Sequence, residues 1–193
     1  MPYPIKKQAQ KYTYGDYLTW PDDERWELID GEAYNMTPAP SRFHQDILRE
    51  LFLQFAEYLK DKTCKVYCAP FDVRLPDKNE KDEEIETVVQ PDIVVICDKS
   101  KLDDKGCIGA PDLIIEIVSP YTVQKDLKEK FSLYEKKGVK QYWIVYPDDK
   151  MVMVFNLGKN KEYGKPKIYS KEDKIEVGIF RSFVIDLKMI FNK

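Results

Sequence analysis

Two nearly continuous apolar segments constrain the fold of this 193-residue chain most strongly. They lie at residues 88–97 and 112–118, and neither alternates regularly between apolar and polar side chains. Continuous runs of aliphatic residues are typical of strands that are covered on both faces, so helices should flank the sheet. Apolar residues at helical spacing in 43–59 and 123–134 supply such helices. The sequence therefore predicts an α/β fold with a mixed central sheet.

Each apolar segment contains an acidic residue. Asp92 follows Pro91 in the first segment, and Glu116 shares a strand face with Ile114 and Val118 in the second. A carboxylate in a buried strand costs free energy unless a positive group meets it. A nearby lysine or arginine would satisfy Glu116 alone, whereas a divalent metal ion would account for both acids. The pair is therefore the first candidate for a chemical site.

The Pro-Asp dipeptide occurs twice, at Pro91-Asp92 and Pro111-Asp112. An aspartate after proline often marks a turn before a strand, so we expect one of the two to be only a turn residue. Asp92 lies deeper in its apolar segment, whereas a Gly-Ala-Pro sequence precedes Asp112. We therefore favour Asp92 as the functional acid.

Composition sets the broad class of the protein. The length suggests one domain spanning residues 1–193. A net charge of −3 and a pI of about 5.4 count against a protein that coats nucleic acid non-specifically, but they allow an enzyme with a local basic patch. Without a signal peptide or an apolar stretch of membrane-spanning length, we expect a cytoplasmic protein. The four cysteines, Cys64, Cys68, Cys97 and Cys107, do not have the spacing of metal ligands. Cys64 and Cys68 lie too far apart along a strand for a routine disulfide, so we expect reduced thiols, as in most cytoplasmic proteins.

The helix predicted after Pro120 carries a lysine at the edge of its apolar stripe. At about 100° per residue, Lys130 lies about 40° from Tyr134 and about 60° from Leu127. Asp126, Lys130 and Tyr134 are spaced four residues apart, so Asp126 can orient the ammonium group. An exposed ion pair on a solvated helix face is the alternative interpretation.

These elements together resemble a known family. Pro91-Asp92, the sequence Glu116-Ile117-Val118-Ser119-Pro120, and the spacing of Asp126, Lys130 and Tyr134 are similar to the Uma family of putative restriction endonucleases, within the PD-(D/E)xK nuclease superfamily. Further matches extend over most of the chain, at residues 26–32, 44, 69–75, 109–113 and 138–143.

The resemblance implies a restriction-endonuclease-like fold and metal-dependent hydrolysis of phosphodiester bonds in DNA. Asp92 and Glu116 would bind Mg²⁺ or Mn²⁺, with the carbonyl oxygen of Ile117 as a further ligand. The superfamily usually has a lysine two positions after the glutamate, where this chain has Val118. In this family the lysine is found on the following helix, and Lys130 matches that position. A homodimer is expected, because cleavage of both DNA strands calls for two sites.

An additional acid is expected from the N-terminal part. Glu27 and Glu32 both fit, and we favour Glu32. The only histidine, His44, shares a face of its predicted helix with Leu48 and Phe55. His44 therefore either lies in the core or the wall of a pocket, or it transfers a proton in the reaction.

Lysines after Pro120 are candidates for contacts with phosphate, with a solvated helix face as the alternative: Lys125 and Lys128 first, then Lys136, Lys137 and Lys140. Likeness of fold does not establish activity. The alternative function is therefore a catalytically inactive relative that acts as a nucleic-acid-binding or regulatory module.

Overall fold

The computed structural model describes residues 10–21, 23–36, 39–119 and 126–192, without the side chains of residues 126 and 127. The helices are α1 (Tyr14–Tyr17), α2 (Arg42–Leu59), α3 (Phe131–Lys137) and α4 (Leu187–Phe191). A π-helical turn at Asp126–Lys130 leads into α3, and 3₁₀ turns form at Asp82–Glu84 and Lys99–Lys101.

The strands are short and follow one another closely along the chain. They are β1 (Trp26–Ile29), β2 (Glu32–Asn35), β3 (Lys65–Cys68), β4 (Asp72–Arg74), β5 (Val88–Val89), β6 (Ile93–Ile96), β7 (Leu102–Asp103), β8 (Gly106–Ile108), β9 (Leu113–Ile117), β10 (Gln141–Tyr146), β11 (Met151–Asn156), β12 (Lys167–Ser170), β13 (Lys174–Glu176) and β14 (Val184–Asp186).

The central sheet is mixed, as the apolar segments predict. Its strand order is β12-β11-β10-β9-β6-β3, with β9 and β10 parallel and the other neighbours antiparallel. Strands β6 and β9, which come from the two apolar segments, pair with each other at the centre. Every residue of both strands is buried, which agrees with strands that are covered on both faces.

A second six-stranded sheet, with the order β2-β1-β5-β4-β8-β7, was not expected from the sequence. The run at 88–97, predicted as one strand, crosses between the sheets: Val88–Val89 belongs to the second sheet and Ile93–Ile96 to the central one. The segment 64–75 is divided in the same way into β3 and β4. Apolar character marked these segments as buried but could not show that the chain changes sheets within them.

Different elements pack on the two faces of the central sheet. Helices α2 and α4 pack on one face, where Leu51 and Phe55 meet Ile115 and Trp143. On the other face, α3 and the second sheet pack together against residues such as Ile114. Helices thus flank the sheet on both sides, as predicted, but the second sheet shares one of those sides.

The turn and the two helix caps that the sequence predicts are present in the structure. The hairpin of β1 and β2 turns at Asp30 and Gly31, which have φ values of 49° and 80°. Ser41 caps α2 by accepting a hydrogen bond from the backbone N–H of His44. Gly138 ends α3 in the left-handed conformation, with φ 83°.

One expectation about the cysteines was wrong. Cys64 and Cys97 form a disulfide bond, whereas Cys68 and Cys107 are free thiols. Cys64 precedes β3 and Cys97 follows β6, and the antiparallel register brings these two strand ends together. From the sequence, only the nearby Cys68 could be considered as a disulfide partner of Cys64. Cys97 becomes a partner only through the pairing of β3 with β6, which sequence separation does not show.

Among the residues that the structure describes, no helix is both long enough and apolar enough to cross a bilayer.

The packing of α2 gives a first test of the fold. Phe55 is fully buried, with its ring centroid 5.9 Å from that of Trp143 and 5.1 Å from that of Phe183. Phe55→Ala should therefore lower the free energy of unfolding by about 3–5 kcal/mol in urea denaturation. Leu53→Ala, on the same helix but 53% exposed, should change it by less than about 0.5 kcal/mol. Equal effects of the two substitutions would contradict this packing.

Thiol titration tests the arrangement of the cysteines. Burial raises the pKa of the Cys107 thiol to about 11, so at pH 8 it should not react with a disulfide reagent in the native protein. Cys68, which is half-buried, should be the thiol that reacts. Unfolding without a reductant should expose two thiols, and reduction should expose four. Four thiols before reduction would show that Cys64 and Cys97 are not bonded.

Candidate active site

The candidate site lies where β6 begins and β9 ends. Asp92 directly precedes β6, and β6 pairs with β9, the strand that carries Glu116. The Glu116 side chain points to the face of the central sheet that carries Ile114 and Val118, where α3 packs. Glu116 is only 5% exposed, so the sequence argument that it cannot lie on a solvated face is confirmed.

Lys130 reaches two carboxylates from the π-helical turn. Its Nζ lies 2.9 Å from Oε1 of Glu116 and 2.9 Å from Oε1 of Glu27. All three side chains are at least 94% buried. Buried charges of this kind are stable only when paired and hydrogen-bonded. Lys130 is therefore part of an internal ion cluster and not of a solvated helix face.

Glu27, rather than the favoured Glu32, is the N-terminal acid that the structure places against Lys130. Both side chains lie on the same face of the β1–β2 hairpin, because Glu27 is opposite Tyr34 and Glu32 is opposite Ile29. Glu27 lies in β1, between β2 and β5, and also accepts a hydrogen bond of 2.9 Å from the backbone N–H of Gln90. Glu32 lies on the edge strand and accepts a hydrogen bond of 2.9 Å from Tyr34.

Tyr134 completes the cluster around Glu116. Its hydroxyl donates a hydrogen bond of 2.7 Å to the same Oε1 that contacts Lys130. Burial, and then the negative charges of Glu116 and Glu27, raise the pKa of Tyr134 well above its usual value. The phenol therefore keeps its proton at neutral pH and holds Glu116 in one orientation.

Asp92 is held by two groups on the other side of the sheet end. Its Oδ2 accepts a hydrogen bond of 2.7 Å from the backbone N–H of Ile117 and lies 3.2 Å from Nε2 of His44. The Asp92 side chain is 18% exposed, the most of the acids at the site. In the described part of the chain, Nδ1 of His44 is buried without a hydrogen-bond partner. His44 thus lines the site from the first turn of α2.

Gln90 was missed by the sequence analysis. Its backbone N–H donates to Glu27, while its side-chain oxygen accepts bonds of 2.8 and 3.2 Å from Arg25. Its side-chain amide donates a bond of 2.9 Å to Asp72. A polar residue inside the apolar run, directly before Pro91-Asp92, was a signal that could have identified it.

The other residues predicted from the sequence lie elsewhere. Asp112 is at the opposite end of β9, where it accepts bonds from the Cys97 backbone and from Lys140, so it has the structural role expected of one Pro-Asp step. Lys136 and Lys137 both pair with Asp77. All three lysines are thus paired with aspartates, but only Lys137 is buried, whereas Lys136 and Lys140 are 60% and 67% exposed. Their contact with phosphate stays a prediction.

Two predicted residues cannot be placed. Lys125 and the side chain of Asp126 lie outside the described residues, so the proposed orientation of Lys130 by Asp126 stays a prediction. Lys128 is described and exposed.

The donor set suits a divalent cation with few protein ligands. Asp92 and Glu116 supply carboxylate oxygens, and Mg²⁺ is commonly bound through one or two carboxylates together with water and substrate phosphate. Among the described residues, no group of three His, Cys, Asp or Glu side chains is placed to hold a metal ion.

Comparison with known proteins agrees with the resemblance. The family model described as Uma2, putative restriction endonuclease, matches residues 14–188. The chain belongs to the Uma2 family. The matched span contains every residue of the candidate site, from Glu27 to Tyr134.

Two individual proteins are similar to this Uma2 chain. An uncharacterized protein from Synechocystis sp. is 26% identical over 132 residues, which are 67% of this chain and 65% of the relative. A crystal structure of a putative nuclease belonging to DUF820 from Anabaena variabilis is 20% identical and superposes with a TM-score of 0.73. That match covers 93% of this chain and 97% of the other, and it shows a common fold.

Removal of the Lys130 ammonium should destabilise this Uma2 protein. Lys130→Met would leave Glu27 and Glu116 buried without their shared cation, so the free energy of unfolding should fall by about 3–5 kcal/mol at neutral pH. Lys128→Met, a matched change at an exposed position, should alter it by less than about 0.5 kcal/mol. Urea denaturation followed by circular dichroism measures both. If Lys130→Met is as stable as the control, Lys130 does not stabilise the two carboxylates.

Proposed function

We propose that the protein is a metal-dependent endonuclease that hydrolyses phosphodiester bonds in DNA. The observation that carries this proposal is the contact of Lys130 with Glu116, at 2.9 Å. Asp92 accepts a hydrogen bond from the backbone N–H of Ile117, the residue that follows Glu116, so it would be the second acid of the site. Membership of a family described as putative restriction endonucleases supports the reaction class.

Asp92 and Glu116 would hold Mg²⁺ or Mn²⁺, with the carbonyl oxygen of Ile117 as a further ligand. A bound ion of this kind lowers the pKa of a coordinated water and offsets negative charge on the phosphate. The protein's own contribution is to fix the two carboxylates. The Ile117 N–H holds Asp92, and Tyr134 holds Glu116.

Lys130 would act as the cationic group of the reaction. Its ammonium lies at hydrogen-bonding distance from Glu116 and Glu27. In the reaction its positive charge would orient the attacking water or stabilise charge on a phosphoryl oxygen. Glu27 would then be the additional acid, which keeps Lys130 charged and directed at the site. Glu32 remains the second choice for that role.

His44 would position Asp92 through its Nε2 atom. Its other ring nitrogen, Nδ1, is buried and has no partner among the described residues. Lys128, exposed next to the site, would contact the DNA backbone. We further propose a homodimer, since two copies of the site are needed to cut both strands of a duplex.

One observation favours the alternative, a non-catalytic module that binds nucleic acid. Lys130 already pairs with two of the three carboxylates, Glu27 and Glu116, which is also the arrangement of a purely structural ion cluster. Such a module would bind DNA without cutting it. The same experiment separates the two functions.

Cleavage of supercoiled plasmid and of single-stranded DNA, with and without Mg²⁺ or Mn²⁺, tests the proposal. Asp92→Asn, Glu116→Gln and Lys130→Gln should each reduce the cleavage rate at least about 100-fold, because each removes a charge that the transition state needs. Asp98→Asn is the matched control. It changes an exposed aspartate beyond the far end of the same strand, β6, and should retain the wild-type rate.

Cleavage that survives in all three site variants would overturn this active site. DNA binding without cleavage by the wild type, with either metal, would support the non-catalytic alternative. Circular dichroism spectra of each variant would show that a lost rate is not lost folding.

A further inference from the structure

A second concave site lies next to the candidate active site, on the other side of Gln90. It is an open cleft of about 530 Å³, within the range of volumes typical of small-ligand sites. We call it the Asp72 cleft. Its lining includes Tyr17, Tyr67, Phe71, Asp72, Gln90 and Asp104.

One wall of the Asp72 cleft is aromatic. The rings of Tyr67 and Phe71 are stacked, with centroids 4.4 Å apart and planes 8° apart. Tyr17 adds a third ring, which is itself stacked on Tyr14. Stacked, partly exposed rings of this kind offer a flat apolar surface to a planar ligand.

The polar group of the cleft is a fixed carboxylate. Oδ1 of Asp72 accepts hydrogen bonds of 2.9 Å from Gln90 and 3.3 Å from Tyr17. Among the described residues, Oδ2 accepts one bond, of 3.4 Å, from Tyr14, and a carboxylate oxygen can accept a further donor. Desolvation by burial raises the pKa of Asp72. N–H groups of a neutral ligand would donate hydrogen bonds to the Asp72 carboxylate and so compensate for its lost contact with water.

The remaining charges of the rim largely cancel. The guanidinium of Arg74, which is fully buried, contacts Asp82 at 2.6 Å and Asp103 at 2.5 Å. Lys105 lies 3.3 Å from Asp82. These two cations and two carboxylates sum to zero. Asp72 and Asp104 are two further carboxylates of the lining, and the guanidinium of Arg25 is bonded to Gln90. A phosphate group would be repelled here, whereas a neutral ring with amino groups would be accepted.

Gln90 connects the cleft to the active site. Its side chain holds Asp72 and its backbone N–H holds Glu27. Asp92 follows two residues later, about 7 Å along an extended chain. A nucleotide whose phosphate lies at Asp92 and Glu116 could therefore place a neighbouring base in the cleft.

We propose that the Asp72 cleft binds one unpaired nucleobase of the DNA substrate, stacked on Tyr67 and Phe71 and donating an amino group to Asp72. This inference rests on the proposed nuclease function and narrows its substrate to single-stranded DNA or to a nucleotide turned out of a duplex. Bases in a stacked duplex cannot present their pairing edge to such a cleft. Adenine, cytosine and guanine carry an exocyclic amino group, and thymine does not, so the cleft discriminates against thymine.

Binding measured without divalent metal tests the subsite independently of cleavage. The probes are fluorescent single-stranded DNA oligonucleotides of thymine that differ only in one central base. Wild type should bind those with central adenine, cytosine or guanine about tenfold more tightly than the all-thymine oligonucleotide. Asp72→Asn should reduce that preference to less than about twofold. Phe71→Leu should weaken binding of the three preferred oligonucleotides by roughly tenfold through loss of stacking.

Asp104→Asn is the matched control, because it removes the same charge from the rim but not the acceptor held by Tyr17 and Gln90. It should retain the base preference. A central 2-aminopurine, whose fluorescence falls on stacking, provides a second readout. Its quenching should occur with wild type and be reduced in Phe71→Leu, which does not alter the Asp72 hydrogen bonds.

Equal binding of all four oligonucleotides by wild type, or the same loss of preference in Asp104→Asn as in Asp72→Asn, would overturn the subsite but not the nuclease proposal. A wild type that shows the preference but cleaves nothing would overturn the catalytic function and support the cleft. Failure to bind any oligonucleotide would overturn both.

Discussion

The contact of one lysine with two buried glutamates joins the three layers of this protein. Glu27 comes from the second sheet, Glu116 from the central sheet, and Lys130 from the turn that leads into α3. Each charge would be costly to bury alone, so each layer is stable in its position only when the other two are present. The same cluster fixes the orientation of the Glu116 carboxylate. Stability of the fold and the geometry of Glu116 therefore both depend on it.

The position of the site follows from where the chain changes sheets. Residues 90–92 leave β5 in the second sheet and enter β6 in the central sheet. At such a crossing the backbone is not fully paired in either ladder, so neighbouring polar side chains can reach both sheets. Gln90 points to one sheet and its cleft, while Asp92 points to the end of the other.

The central sheet and the burial of Glu116 could be predicted because continuous aliphatic runs have few other solutions. Asp92 could be preferred to Asp112 from its depth in such a run. The choice between Glu27 and Glu32 could not be made, because both fall on the same hairpin face and only the neighbouring strand β5 distinguishes them. Gln90, Asp72 and the second sheet depend on long-range strand pairing, which local patterns do not encode. The Cys64–Cys97 bond was missed for the same reason.

The buried guanidinium of Arg74 has a consequence for how this protein can change over time. Its planar fork holds the turn at Asp82 and the hairpin at Asp103 at a fixed separation. The frame of the neighbouring cleft therefore does not depend on its aromatic residues, Tyr67 and Phe71. Substitutions at Tyr67 or Phe71 can alter what the cleft accepts while its frame persists, so relatives with the same fold could diverge in preference without rebuilding their loops.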